Sequence, residues 1–230
     1  MNKNLAEIAF ILDRSGSMAT VTEAAITGFN EFLTAQQKTE GQARLTLVLF
    51  DNEYLVPLDS IPVQEALPLD TTTYVPRAST ALLDAIGITI DNLGARLAAM
   101  SESERPGQVI VAILTDGFEN SSVKFTWQDI SRRILEQTNT YNWQFLFLGA
   151  NQDAIATASK LNISADNASN YHADSIGTVS SAKAISRKMA AIRKSASGMP
   201  LNVKEQADAA SPLGAIVTEE DAGERKGKSA

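Results

Sequence analysis

Short apolar runs alternate along this chain with stretches in which apolar residues recur at helical spacing, and this alternation limits the folds open to it. The run 5–12 comes first, and it is followed at steps of three and four by Val21, Ala25, Phe29 and Phe32. Later strand-like runs at 109–115, 144–149 and 168–172 alternate with helical patterns at 80–100, 126–139, 151–161 and from 176 onward. This order predicts a doubly wound α/β domain, with a mostly parallel central sheet covered by helices on both faces.

One pair of strands departs from this alternation. The runs 45–50 and 54–58 are separated only by the three residues 51–53, a connection that suits an antiparallel hairpin. We therefore expect one antiparallel strand at an edge of the sheet. Pro57 would blunt unwanted pairing at that edge, because proline has no N–H group to donate to another strand.

The helical patterns stop near Ser197, and the last aromatic residue of the chain is Tyr171. The residues that follow are rich in Ala, Gly, Glu and Lys, which is typical of a segment without a core. We therefore predict one domain over 1–197 and a disordered tail over 198–230, with a partner-binding segment around 212–217 as the alternative. The last predicted helix has a Lys/Arg face, which is either solvated or docks an acidic partner or the tail's own acidic residues 219–221.

Composition narrows the chemistry that this chain can perform. It has no Cys and a single His, His172, which excludes thiolate zinc sites, sites with several imidazoles and Cys nucleophiles. Its net charge of −7 argues against a nucleic-acid partner, which normally binds a basic surface. No apolar run approaches the roughly 20 residues that span a bilayer, and the first run has no cleavage site, so we expect a cytoplasmic protein without a membrane partner.

Oxygen-bearing side chains gather in three of the predicted loops. Asp13, Ser15 and Ser17 follow the first strand, Asp116 follows a buried strand, and Thr80 precedes a helix. Ligands of open α/β sheets bind beyond the carboxyl ends of the strands, near the point where the strand order reverses. These donors suit a hard divalent cation such as Mg²⁺, with Mn²⁺ and Ca²⁺ as alternatives. Taken singly, each loop could instead cap the helix that follows it.

Four further polar residues are weaker candidates. Asp84 either contacts the metal loops from the first turn of its helix or is an exposed acid on the helix face, and Glu119 has no firmer assignment. Asp51 is best explained as a turn residue before the second strand of the hairpin. His172 lies at the end of a predicted strand, and we interpret it as an ordinary surface or hydrogen-bonded histidine.

The oxygen-bearing residues form a pattern that resembles a known motif. In residue type, order and position relative to the strands, it is similar to the metal-ion-dependent adhesion site (MIDAS) of von Willebrand factor type A domains. The similarity covers about 5–195, and the flanking sequences resemble the intracellular bacterial and phage branch of that family. The matching residues are Asp13-x-Ser15-x-Ser17, Thr80 and Asp116, in the stretches 10–18, 80–86 and 114–120. One departure is Ala78-Ser79, which stands where the family often has Gly-Gly.

The resemblance implies roles for each residue of the motif. Ser15 and Ser17 would coordinate the metal directly, as would Thr80 in the ligand-competent arrangement. Asp13 and Asp116 would bind it directly or through water. The remaining coordination position would then accept an Asp or Glu carboxylate from a partner protein. Relatives inside bacteria commonly work beside AAA-type ATPases or in stress-resistance systems, which implies partners of that kind.

The leading hypothesis is therefore a metal-dependent protein-interaction module that acts as an intracellular adaptor and is not an enzyme. The alternative is a Mg²⁺-dependent phosphohydrolase on a similar scaffold, with Asp13 as nucleophile and Asp116 as a metal ligand. Such an enzyme commonly needs a second acid two residues after the nucleophile, where this chain has Ser15. It also needs a catalytic Lys, for which the sequence offers no convincing candidate.

Overall fold

The computed structural model describes residues 1–150 and 153–227, and its centre is a sheet of six strands. The strand order is β3-β2-β1-β4-β5-β6, and β3 is antiparallel to β2 while every other pair is parallel. The predicted α/β class and the antiparallel edge strand are confirmed. The strands are β1 (Asn2–Asp13), β2 (Gln42–Phe50), β3 (Tyr54–Pro62), β4 (Pro106–Thr115), β5 (Gln144–Gly149) and β6 (Ala168–Asn170).

Helices cover both faces of the sheet and form two hydrophobic cores. Residues of α1, α5 and α7 pack in one core, and residues of α2, α3 and α4 pack in the other. The helix predicted over 151–161 is observed as α4, and its predicted start lies outside the described residues. The helices are α1 (Thr22–Lys38), α2 (Leu82–Ala99), α3 (Trp127–Tyr141), α4 (Ala154–Lys160), α5 (Ser175–Ala196), α6 (Val203–Ala210) and α7 (Leu213–Gly227). None of the described helices has the length and apolar character needed to cross a membrane.

The central strand β1 shows why the sheet needs helices on both sides. Successive side chains of a strand point to opposite faces, so Phe10 and Leu12 lie in one core while Ala9 and Ile11 lie in the other. All four side chains are at most 2% exposed. A strand buried on both faces reads as a continuous apolar run, and this is the pattern of 5–12 in the sequence.

The strand order places a crevice at the carboxyl end of β1. The chain runs from β1 to β2 and β3 on one side, and β4, β5 and β6 follow on the other side of β1. The order therefore reverses between β1 and β4, which end at Asp13 and Thr115. In open α/β sheets, loops at such a reversal separate and leave room for a ligand.

The predicted disordered tail is corrected by the structure, in which residues 203–210 and 213–227 are helical. Leu213, Ile216 and Val217 are at most 6% exposed and belong to the core beneath α1 and α5. Their spacing of three and four residues puts them on one face of α7. Three apolar residues are a weak sequence signal, but their burial is enough to attach a short helix to an existing core.

Ion pairs fasten the same segment to α5. Arg187 contacts Asp208 at 2.5 Å, Glu220 at 2.7 Å and Glu219 at 2.9 Å. Lys188 donates to three backbone carbonyls where α6 ends. Of the alternatives left open by the sequence, the basic face of α5 therefore binds the acidic residues of the chain's own tail. Further pairs on this surface are Lys183–Glu224, Lys194–Glu205 and Arg225–Asp174.

We predict that Leu213→Ala destabilises the full chain by about 2–5 kcal/mol, since it leaves a cavity beneath α7. The matched control is Val203→Ala, because Val203 is 85% exposed and its truncation removes little packing. That control should change the free energy of unfolding by less than about 0.5 kcal/mol. Urea unfolding of both variants measures the difference, and a Leu213→Ala variant as stable as the wild type would contradict the packing of α7.

Candidate metal centre

Asp13 ends β1 with its carboxylate buried and fully engaged. The residue is 0% exposed, and its Oδ1 accepts the backbone N–H of Ser15 at 2.7 Å. Its Oδ2 accepts the hydroxyl of Thr115 at 2.5 Å, so the carboxylate bridges the ends of β1 and β4. The backbone carbonyl of Asp13 accepts the hydroxyl of the buried Tyr74 at 2.6 Å. These contacts fix the start of the loop that contains Ser15 and Ser17.

Burial makes ionisation of the two acids of the site less favourable. The pKa of Asp13 is raised to about 6, mainly by burial and to a smaller extent by the nearby charge of Asp116, against the opposing hydrogen bonds from Thr115 and Ser15. Burial also raises the pKa of Asp116, against a hydrogen bond from Ser17. Two carboxyl groups that resist ionisation in one place would be stabilised as anions by a bound cation.

Three hydroxyl groups and the second acid converge at one point. The Ser15 and Ser17 Oγ atoms are 3.0 Å apart, and the Ser17 hydroxyl donates to Asp116 Oδ1 at 2.5 Å. A Cβ atom placed on Gly117 would lie 2.7 Å from Thr80 Oγ1, 3.4 Å from Ser17 Oγ and 3.5 Å from Ser15 Oγ. Gly117 has no Cβ atom, so this space is left free beside the three hydroxyls. Sequence positions about 100 residues apart therefore meet as the motif predicts.

Backbone hydrogen bonds tie the loop before Thr80 to the first loop. The Gly16 N–H donates to the Ala78 carbonyl at 3.0 Å, and the Arg77 N–H donates to the Arg14 carbonyl at 2.8 Å. Ala78 has φ 56°, in the left-handed region that glycine adopts at less cost. The departure from Gly-Gly noted in the sequence therefore occurs at a strained position, yet Thr80 still reaches the cluster.

Asn120 clamps the third loop against Thr80, a role that the motif did not reveal. Its Oδ1 accepts the Thr80 N–H at 2.9 Å, and its own N–H donates to the Thr80 carbonyl at 3.0 Å. Thr115, also absent from the candidate residues, accepts the Gly117 N–H at 3.2 Å while it donates to Asp13. In the sequence, the only sign of Thr115 is that a polar residue ends an apolar strand. The only sign of Asn120 is an amide side chain four residues after Asp116.

Asp51 joins the end of β2 to the same loops. It is 0% exposed and forms ion pairs with Arg14 at 3.1 Å and Arg77 at 2.8 Å. Its carbonyl accepts the Ala81 N–H at 2.9 Å, and its Oδ1 accepts the Glu53 N–H at 2.5 Å. The predicted turn role is confirmed by the last contact. The ion pairs with two arginines add a support for both metal loops that the sequence did not indicate.

The other candidates lie away from the hydroxyl cluster. Asp84 is 8% exposed, so it is not an exposed acid of the helix face. From the first turn of α2 it accepts the N–H groups of residues 123–125, in the connection that begins with Asp116. Glu119 accepts the Leu83 N–H at 2.9 Å and thereby caps the start of α2. The His172 side chain is 73% exposed, as a surface histidine is expected to be, and lies 3.9 Å from Asp221.

The three loops line a cavity of about 350 Å³, which is open to solvent and lies where the strand order reverses. Its lining contains one acid and no base, and consists of 15–17, 78–80, 116–118 and Asn120. The described residues contain no group of three or more His, Cys, Asp or Glu that could hold a metal. Two carboxylates and three hydroxyls nevertheless fit a hard divalent cation, which binds through oxygen and keeps some of its waters. The space beside Gly117 is where the three hydroxyls converge, and the Ser17 hydroxyl links them to Asp116.

No protein-family model matches the sequence, and no curated protein is significantly similar to it. Solved structures are similar in fold. A von Willebrand factor type A structure from Catenulispora acidiphila has a TM-score of 0.52 at 18% identity, covering 81% of this chain and 42% of that one. The manganese-loaded TRAP protein of Plasmodium vivax has a TM-score of 0.55 at 16% identity, with coverages of 78% and 72%.

A third similar structure is proximal thread matrix protein 1 of the mussel byssus with a zinc-occupied MIDAS motif. It has a TM-score of 0.54 at 16% identity, and the match covers 80% of this chain and 46% of that one. This chain thus spans less than half the length of the mussel protein and of the Catenulispora acidiphila protein. At these identities the similarity is one of fold, and the chain has a von Willebrand factor type A-like fold.

We predict that Asp13 lowers the stability of the metal-free protein as the pH rises. Its pKa is raised from 3.8 to about 6, so the protonated form favours folding below pH 4 and that contribution is lost as the pH passes about 6. In EDTA, the wild type should therefore lose about 2 kcal/mol relative to Asp13→Asn between pH 4 and pH 7.

Urea unfolding of the wild type and Asp13→Asn at pH 4 and pH 7 measures this difference. Groups that titrate alike in both proteins do not contribute to it. Asp91→Asn is the matched control, since Asp91 forms an exposed pair with Arg133. A constant stability difference between wild type and Asp13→Asn would contradict the raised pKa.

Proposed function

We propose that this protein is a metal-dependent protein-interaction module, in which a divalent cation links the chain to an Asp or Glu of a partner protein. Asp13, Ser15, Ser17, Thr80 and Asp116 would hold the cation, with Mg²⁺ as the first choice and Mn²⁺ or Ca²⁺ as alternatives. The observation that carries the proposal is the convergence of three hydroxyls and Asp116 on the space beside Gly117. This space lies at the strand reversal, where such folds bind ligands.

The chemistry of the donors explains why a partner's carboxylate would bind. Three of the five donors are neutral hydroxyls, which would leave a bound cation with a strong affinity for a further anionic oxygen ligand. The cavity lining contains no basic residue that could attract an acid by itself. Recognition of a carboxylate at this site therefore depends on the metal. The side chains would hold the metal so that one coordination position is left for the partner.

The similar structures support divalent metal binding in a general way, since one is named as manganese-loaded and another as having a zinc-occupied MIDAS motif. The negative net charge supports a protein partner over nucleic acid. The choice of Mg²⁺ follows from the oxygen donors, while the bacterial or phage origin and a partner in an AAA-type ATPase or stress-resistance system follow from the motif resemblance. We keep these and the cytoplasmic location as proposals.

We further propose that the module binds its partner without catalysis. A nucleophilic Asp13 would need a carboxylate oxygen free to attack a phosphate, whereas both of its oxygens accept hydrogen bonds and the residue is 0% exposed. Ser15 stands where a phosphohydrolase commonly has its second acid. Hydrolysis of a phosphomonoester that requires Mg²⁺ and is lost in Asp13→Asn would contradict this proposal.

We predict that Mg²⁺ or Mn²⁺ stabilises the folded protein by mass action. At a concentration 100 times the dissociation constant, the gain is about 2.7 kcal/mol. Thr80→Val should reduce the gain because it replaces one hydroxyl donor by a methyl group of similar size, and Asp13→Asn should reduce it because it removes a charge. Thermal unfolding with and without EDTA measures the effect.

The matched control is Thr34→Val, which removes a threonine hydroxyl from the exposed face of α1. It should retain the full gain. Equal melting of the wild type in metal and in EDTA would contradict metal binding, and equal gains in Thr80→Val and wild type would exclude Thr80 from the donors.

A further inference from the structure

An exposed aromatic side chain stands at the edge of the candidate metal centre. The chain has eight Phe residues, and seven of them are buried or partly buried. Phe118 is 62% exposed and lines the cavity together with Thr80 and Asp116. Aromatic residues are enriched where the binding energy of an interface concentrates, and Phe118 is the large apolar side chain of this lining.

The loop that presents Phe118 is fixed on both sides of it. Before Phe118, the Gly117 N–H donates to Thr115 Oγ1 at 3.2 Å. After it, Asn120 exchanges two hydrogen bonds with Thr80, and Glu119 accepts the N–H groups of residues 121 and 122. A side chain on such a loop is already in place for a partner, so its burial costs little ordering of the backbone.

The charges around the cavity do not offer a second anchor for an acidic partner. The cavity lining has no basic residue, and the nearby Arg77 is paired with Asp51 and Glu53 of the same chain. The lining also contains the small residues Ala78 and Ser79, which leave room for a partner segment to approach. Phe118 is therefore the lining residue that can add affinity by apolar burial.

We infer that the partner segment bound here has an Asp or Glu next to a large apolar residue, which packs on Phe118 while the acid reaches the metal. This inference rests on the proposed function and adds to it the chemistry of the partner. Phe118 is then a specificity residue that does not hold the metal. An acidic segment without the apolar neighbour would bind weakly, because it would leave the aromatic ring exposed.

The experiment uses the full chain and three synthetic peptides in Mg²⁺ and in EDTA. The first has one Asp between two Leu residues in a Gly/Ser background, the second has Ser in place of both Leu, and the third has Asn in place of Asp. We expect the first to bind at least about ten-fold more tightly than the second, which corresponds to about 1.4 kcal/mol. Phe118→Ala should abolish that difference, and its stabilisation by Mg²⁺ should equal that of the wild type.

The matched control is Val123→Ala, since Val123 is 88% exposed on the same segment and lies outside the cavity lining. It should keep the preference for the first peptide. Equal binding of the first two peptides, or a preference that survives in Phe118→Ala, would overturn the inference while leaving the proposed function intact. First-peptide binding that is undetectable in Mg²⁺, unchanged by EDTA or matched by the third peptide would overturn the proposed function itself. Mg²⁺-dependent dimerisation that Phe118→Ala abolishes would identify a second copy of the chain as the occupant and would also overturn the inference.

Discussion

The buried carboxylate of Asp13 is the constraint on which the candidate metal centre depends. It accepts one hydrogen bond from the loop after β1 and one from the last residue of β4, and so joins the two strands between which the sheet reverses its order. Burial without a counter-charge raises its pKa to about 6. The fold therefore holds an acid in a position that favours either a proton or a cation, at the place where a ligand would enter.

The other two loops are attached to this point by backbone hydrogen bonds and by the side chain of Asn120. Ala78 accepts the N–H of Gly16, and Asn120 exchanges two hydrogen bonds with Thr80. The ion pairs of Asp51 with Arg14 and Arg77 reinforce the same junction from β2. These contacts are all within the chain, and they position the hydroxyls close together. A site of this kind is prepared for its ligand and does not have to fold around it.

Much of this arrangement could be predicted from the sequence. The alternation of apolar runs and helical patterns predicts the sheet and its helices, and the motif resemblance predicts Asp13, Ser15, Ser17, Thr80 and Asp116 as the site residues. The roles of Asn120 and Thr115 and the ion pairs of Asp51 are not predicted, because they depend on contacts between residues distant in sequence, and polar residues at strand ends and turns have many local explanations. The tail was misjudged because three apolar residues of α7 gain their stability from a core that the rest of the chain supplies.

The candidate metal centre requires that three loops bind one divalent cation beside Gly117. Anomalous diffraction from crystals containing Mn²⁺, compared with crystals grown in EDTA, locates such a cation. We expect one manganese peak within bonding distance of oxygen atoms of Ser15, Ser17 and Thr80, a weaker peak in Thr80→Val crystals, and no peak at that position in EDTA. A cavity without a manganese peak, or manganese bound at the surface acids of the ion pairs instead, would contradict this metal centre.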